Sequence, residues 1–198
     1  MDGFQRRREQ KRNQILQASL ELFNIYGIQK VTIAEIAEKA EVSQVTIYNY
    51  FDNKQALTEE VIAYYLDREW EKSKKIIESD RPFPDKLKEL VFLKTCQAEE
   101  LGDDFYVYFM EQYSSRYAYF EEFQKHKAIP KMIELLEEGK RSGYVDPSLS
   151  NELVLIYIQV LSTAAQKPEI YRQLLPYTEE LTKVVFYGLA GQAPDRET

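Results

Sequence analysis

Two runs of apolar residues at helical spacing, so close together that only a tight turn can join them, constrain the fold of this 198-residue chain more than anything else in it. In the first run Ile33, Ile36, Ala37 and Ala40 share one helix face. Thr32 stands at the N-cap position, and Glu35, three residues on, completes a capping box. Only Glu41 and Val42 follow before Ser43, which is placed to cap a second helix with Ile47 and Phe51 turned inward. At about 100° per residue, Val45 and Asn49 then point nearly opposite to that inner side, with Thr46 and Tyr48 flanking them. The outward face is uncharged, hydrogen-bonding and partly aromatic. Such a face suits base edges and thymine methyls, with phenols and lysines holding phosphates on either side. Periodicity alone favours a plainer reading, a surface helical hairpin that touches no nucleic acid.

The order of residues tips that balance. Read from Thr32 to Lys54, the pattern Thr-x-x-x-Ile-Ala-x-x-Ala-x-Val-Ser-x-x-Thr-Ile-Tyr-x-Tyr-Phe-x-x-Lys resembles the DNA-binding signature of tetracycline-repressor-type (TetR/AcrR family) transcription regulators. The motif covers the N-terminal quarter of the chain; beyond it only the length and an all-helical pattern agree. The resemblance implies a homodimer whose recognition helices enter successive major grooves about 34–36 Å apart on a palindromic operator. Gln44, Val45, Thr46 and Asn49 would face bases, and Thr32, Ser43, Tyr48, Tyr50 and Lys54 would position phosphates. One departure stands out. The family usually has Gly at the turn where this chain has Glu41, and a side chain forced into the left-handed region costs about 1–2 kcal/mol. Either the turn carries that strain or its geometry differs.

Charge agrees with a DNA-binding head only when the chain is divided. The whole carries a formal net charge of -7, but residues 1–54 hold 8 Lys or Arg against 7 Asp or Glu, while the rest hold 18 against 26. Affinity for a polyanion depends on the local patch, and an acidic body favours contact through the head alone. Residues 1–8 offer little to bury and read as a mobile arm. Its Arg6, Arg7 and Arg8, with Lys11 and Arg12 beyond, form the densest basic cluster, suited to a phosphate backbone or a minor groove.

With Cys96 and His126 as the sole cysteine and histidine, no disulfide within the chain and no metal-ligating cluster is expected. No glycine-rich phosphate loop or histidine-paired nucleophile supports an enzyme, and no cofactor is expected. The start MDGFQRRREQ lacks a signal peptide's apolar segment, and the longest strongly apolar run, Leu153 to Ile158, is far short of the roughly 20 residues that span a bilayer. A soluble cytoplasmic protein is the expectation.

The chain as a whole reads all-α: an N-terminal three-helix helix-turn-helix head over residues 1–54, joined by a long helix to a helical ligand-binding and dimerisation body over 55–198. The first helix runs from about Glu9 to Tyr26, with Gly27 as its stop, and a long fourth helix from Lys54 to about Ser79. Helices over about Pro84–Glu100, Asp103–Ser114, Tyr117–Lys127, Ile129–Ser142, Ser150–Gln166, Pro168–Leu174 and Pro176–Leu189 follow, punctuated by glycines and prolines.

Nine aromatics crowd the 20 positions from Asp104 to Phe123. Aromatics at helical spacing are more often core, but tyrosine hydroxyls need partners when buried, which a partly polar cavity provides. The family resemblance implies a small-molecule effector site in this part of the chain, with Trp70, Phe92, Cys96, Phe105, Phe109, Tyr113, Phe120 and Phe123 as candidate lining. Near the C-terminus, Leu153, Ile156, Tyr157 and Val160, with Leu181, Val184, Val185 and Gly188, form apolar faces in excess of what one core needs. They are the candidate dimer interface, as the resemblance also implies; the alternative is a monomer with a larger internal core. The reading that unites these features is a ligand-responsive transcription regulator, a repressor released from operator DNA by an effector. The rival is a helical small-molecule-binding or adaptor protein without sequence-specific DNA binding.

Overall fold

The computed structural model of the chain describes residues 3–114, 118–165, 170, 173–177, 180–181, 183–184 and 188. Among these residues all regular structure is helical: α1 Gly3–Tyr26, α2 Ile33–Lys39, α3 Gln44–Tyr48, α4 Lys54–Ile77, α5 Phe83–Glu100, α6 Asp103–Ser114, α7 Ala118–Phe123, α8 Ile129–Arg141 and α9 Asn151–Ala165, with a 3₁₀ turn at Leu175–Tyr177. They form two compact units, Met1–Trp70 with Glu99–Ser115, and Glu71–Ala98 with Arg116–Thr198.

The first unit is built around α1. Ile15, Leu16, Phe23 and, from the next helices, Ile36 and Ile47 are essentially inaccessible and share one core. That core also takes in Leu57, Val61 and Tyr65 of α4 and Phe105 of α6. Tyr65 meets Phe105 and Phe109 edge-on, with ring centroids 5.9 and 5.4 Å apart, the arrangement that aromatic quadrupoles favour. A tight junction brings α6 to the end of α1. Gly27, at φ +81°, accepts the left-handed turn that stops α1, and its N–H still donates to Phe23 O at 3.0 Å. The amide of Gly102 donates to Asn24 Oδ1 at 2.6 Å, and a Cβ on Gly102 would overlap the Asn24 carbonyl oxygen. Close backbone approach therefore requires glycine at 102.

Two expectations are corrected. The first helix does not begin near Glu9 after a mobile arm; it begins at Gly3. Phe4 to Gln10 contain no helix breaker and are mostly strong helix formers, so nothing ends the helix once α1's core face has nucleated it. The break expected between Lys127 and Ile129 is also missing. Residues Gln124–Ala128 continue α7 into α8 in π register, with Ile129 N–H bonded to Gln124 O. Pro130 has no N–H to give to His126 O, and its ring crowds that carbonyl in an α register; a wider turn relieves both.

In the second unit Phe83 lies stacked on Tyr144, their centroids 6.0 Å apart, and against Gly139, where any Cβ would strike the Phe83 ring. Lys86, 4% exposed, donates to Glu138 Oε2 at 2.8 Å. Lys131 bridges Glu78 at 3.0 Å and Glu134 at 2.7 Å. Among the described residues no helix is long and apolar enough to cross a membrane.

Candidate nucleic-acid interface

The interface rests on two caps. Thr32 N–H and Oγ1–H both donate to Glu35 Oε2 at 2.7 Å, while Glu35 N–H donates back to Thr32 Oγ1 at 3.2 Å, the full capping box. These bonds from Thr32, the backbone one first, hold the Glu35 carboxyl below its ordinary range. At the other end of α2, Glu41 N–H donates to Glu38 O at 3.1 Å and Val42 N–H to Ala37 O at 2.9 Å. That pair of bonds is the Schellman motif, which needs its central residue in the left-handed region. Glu41 occupies it at φ +53°. Of the two alternatives the sequence leaves open, the chain adopts the strained one, and the usual turn geometry is kept.

Ser43 then caps α3, its Oγ accepting from Thr46 N–H at 3.0 Å. Its oxygen also lies 2.8 Å from Thr46 Oγ1, so the two hydroxyls share one hydrogen bond and one O–H is left to donate elsewhere. The second helix is shorter than its pattern suggests. It ends at Tyr48 with Asn49 as C-cap, and Tyr50 and Phe51 turn back on Ile47 O at 3.0 and 2.9 Å. Ile47 and Phe51 are buried, while Val45 is 69% and Tyr48 51% exposed, and Gln44 and Asn49 are exposed beside them. Asn53 Oδ1 accepts from Ala56 N–H and starts α4.

The sequence-derived phosphate residues divide into committed and uncommitted groups. Thr32 already gives its hydroxyl proton to Glu35. Lys54 Nζ donates to Gln29 O at 3.3 Å and ties the α1–α2 connection to α4. Arg8 lies over the Tyr50 ring at 5.8 Å, and Arg12 lies over Phe51 at 5.9 Å while pairing with Glu60. These stacks fix the start of α1 against the end of α3. Between the two helices runs an open groove lined by Arg7, Arg8, Thr46, Asn49 and Tyr50, together with Phe4, Gln10, Lys11 and Gln14. Arg6 is exposed outside it. The pattern of the sequence does not by itself single out Phe4 and Gln14. The signal for them is the spacing 4, 7, 8, 11, 14, one face of a helix, visible once residues 3–8 are taken as helical.

The candidate effector residues fall in both units. Phe105 has no exposed surface and belongs to the core of the first unit, with Phe109 packed against that core; Trp70 falls in the same unit and is half-buried. Phe120 and Phe123 are buried in the second, Phe123 stacked on Tyr119 and capped by Lys127 at 5.6 Å. Phe92, Cys96 and Tyr113 lie outside the described side chains. Of the candidate dimer residues, Leu153, Ile156 and Val160 form an exposed stripe on α9 at 56%, 60% and 61%, opposite buried Val154, and Val184 is 62% exposed. Tyr157 and Leu181 are half-buried; a Cβ on Gly188 would lie 3.9 Å from Tyr157 Oη; Val185 lies outside the described residues.

Residues 15–61, which span all of α2 and α3, match the family model for bacterial regulatory proteins of the tetR family. The chain is 24% identical over 155 residues to the HTH-type transcriptional repressor KstR2 of Mycobacterium tuberculosis, covering 75% of this chain and 76% of that repressor. Over 87 residues it is 37% identical to the uncharacterised HTH-type regulator YvkB of Bacillus subtilis, covering 44% of this chain and 43% of YvkB. In fold it resembles the fatty acid degradation regulator FadR of Bacillus halodurans, at TM-score 0.66 and 23% identity over 90% of this chain and 96% of that one. It likewise resembles FadR of Bacillus subtilis, solved in complex with stearoyl-CoA, at TM-score 0.64 and 19% identity over 89% and 98%.

Proposed function

We propose that the chain acts as a tetR-type transcriptional regulator, a homodimeric repressor that leaves a palindromic operator when a small molecule fills its body. The observation that carries the reading is the orientation of α3. Val45 and Asn49 face solvent while Ile47 and Phe51 seat the helix on its own core, so a polar ridge stands free to enter a major groove. Gln44, Val45, Thr46 and Asn49 read base edges; Ser43, Tyr48, Tyr50 and the basic start of α1 hold phosphates.

Two copies associate through α9 and the surface around Val184. Leu153, Ile156 and Val160 with Val184 offer the partner large exposed apolar side chains, and their burial against a second copy supplies the driving force. The release step follows from which helices share the head core. α4 and α6 both contribute to it, and both continue by covalent chain into the second unit. A ligand that favours a different setting of α5 or the end of α4 therefore alters the heads' spacing, to the extent that it binds that setting more tightly.

Selection of bound duplexes from a random pool is the direct test, followed by release with candidate molecules. Long-chain acyl-CoA thioesters come first, because one structural neighbour was solved with stearoyl-CoA. Enrichment of an inverted repeat with half-sites one helical turn apart is the expected result. A pool that yields no enriched sequence overturns the reading.

A further inference from the structure

We propose that α3 selects A·T base pairs: a thymine methyl seats on Val45, and an adenine one or two pairs away is held by the amide of Asn49, which gives each operator half-site an A·T core. The inference rests on the DNA-binding reading above and adds to it which bases are chosen.

The first argument is the absence of charge on the ridge. From Val42 to Phe51 the sequence has no Arg, Lys, His, Asp or Glu. Arginine and lysine are the usual partners of guanine O6 and N7, and carboxylates accept from cytosine N4, so α3 lacks the side chains that select G·C pairs. The carboxylates nearest in sequence, Glu41 and Asp52, stand in the turns before and after the helix. The cations beside it belong to other elements. Arg7, Arg8 and Lys11 line the groove from α1, and Lys54 Nζ donates to Gln29 O.

The second is the state of the amides. Asn24 Oδ1 accepts from Gly102 N–H and Asn53 Oδ1 from Ala56 N–H, so both side chains are held within their own unit. Asn49 and Gln44 are exposed, and their side chains have no hydrogen-bond partner among the described residues. A carboxamide with both ends open accepts from adenine N6 and donates to N7 at once, a donor and acceptor that no other single base sets side by side in the major groove. Thr46 does not decide between pairs. Its hydroxyl, 2.8 Å from Ser43 Oγ, can donate or accept and suits either.

Val45 gives the third. It is 69% exposed on a helix whose other aliphatic residue, Ile47, is 1% exposed. An isopropyl group laid over a purine N7 covers an acceptor without bonding it, and over cytosine it meets a bare C–H; only thymine offers a methyl group to bury. Asn49, at φ -73° and ψ -17°, keeps the helical path, so it follows Val45 by about 6 Å along the axis. Base pairs rise by about 3.4 Å, which puts the two contacts on pairs one or two steps apart.

The test uses the full-length chain and the duplex selected from the random pool, with binding followed by fluorescence anisotropy. Deoxyuridine in place of each thymidine removes only the methyl group, and 7-deazaadenine in place of each adenine removes only N7. At one thymine per half-site, the uracil duplex is expected to bind wild type about fourfold more weakly, the value of one buried methyl, whereas Val45→Ser binds both duplexes alike. At one adenine within two pairs of that thymine, the 7-deaza duplex is expected to lose about fivefold with wild type, the value of one hydrogen bond, and nothing with Asn49→Ala. Both residues are exposed, and circular dichroism checks that the variants fold. Enriched half-sites whose invariant pairs are G·C overturn the inference and leave the DNA-binding reading standing. So do uracil and 7-deaza losses that are absent in wild type or equal in wild type and variant. A pool with no enriched sequence overturns both.

Discussion

Replacing Glu41 with glycine should stabilise this protein, which is the reverse of what glycine does in a helix interior. The backbone there is left-handed, φ +53°, because the Schellman bonds from Glu41 to Glu38 and from Val42 to Ala37 can close in no other way. A side chain in that region costs about 1–2 kcal/mol, which glycine removes. Glycine's wider freedom in the unfolded chain takes back about 0.4–1 kcal/mol. The Glu41 side chain is exposed, so its loss forfeits no packing. The net gain is about 0.5–1 kcal/mol, and for a chain of this length each kcal/mol raises the melting temperature by about 2–4 °C. Urea unfolding should show a raised midpoint at constant slope. Glu41→Ala is the control: it keeps the strained backbone and should stay within about 0.5 kcal/mol of wild type. If alanine stabilises as much as glycine, the charge of Glu41 and not its backbone is the cause. If glycine destabilises, the argument from strain is wrong.

Three further perturbations probe the scaffold. Gly102→Ala drives a Cβ into the Asn24 carbonyl and should cost about 1–3 kcal/mol in thermal or urea unfolding, as overpacking does; a neutral variant would show that α6 is not held against α1. Glu138→Ala leaves the Lys86 ammonium buried without its partner and should cost about 2–3 kcal/mol, discounted from the fully buried case because Glu138 is about one-third exposed, whereas Lys86→Met should be near neutral. Equal losses for both would mean that the pair itself, and not the stranded charge, sets the energy. Finally, hydrogen bonds from Thr32 depress the Glu35 carboxyl, and the bond from Lys39 depresses Glu21, so their stabilisation is complete above about pH 4.5 and is lost as pH falls through the lowered folded values. The stability gap between wild type and Glu35→Gln should therefore narrow from about pH 6 to about pH 3; a constant gap would contradict the assignment.

Local chemistry makes one part of this molecule readable from its residues and leaves another part unreadable. The capping box, the glycine stop at Gly27 and the inward pair Ile47 and Phe51 each depend on residues within about one or two turns, where helical spacing fixes who meets whom. The start of α1 escapes such a reading for the opposite reason. Three adjacent arginines suggest repulsion in a flexible arm, but on a helix they point in different directions, and Arg8 is drawn to Tyr50, 42 residues away. That stack cannot be inferred from the arginines alone.

The aromatic segment shows the same limit from the other side. Phe105 and Phe120 are both phenylalanines in one aromatic-rich run, yet Phe105 completes the core that seats the recognition helix, and Phe120 is buried in the second unit. Their composition and spacing are alike; what separates them is the chain's passage from one unit to the other between residues 115 and 116. A ring that closes a core and a ring that lines a cavity obey the same periodicity, because periodicity reports which side of a helix is dry and not what keeps it dry. Phe105→Ala therefore serves a purpose that no reading of the run could: as a core position it should cost about 3–5 kcal/mol without any ligand present. Loss of stability well below that range would return Phe105 to the candidates for an effector site.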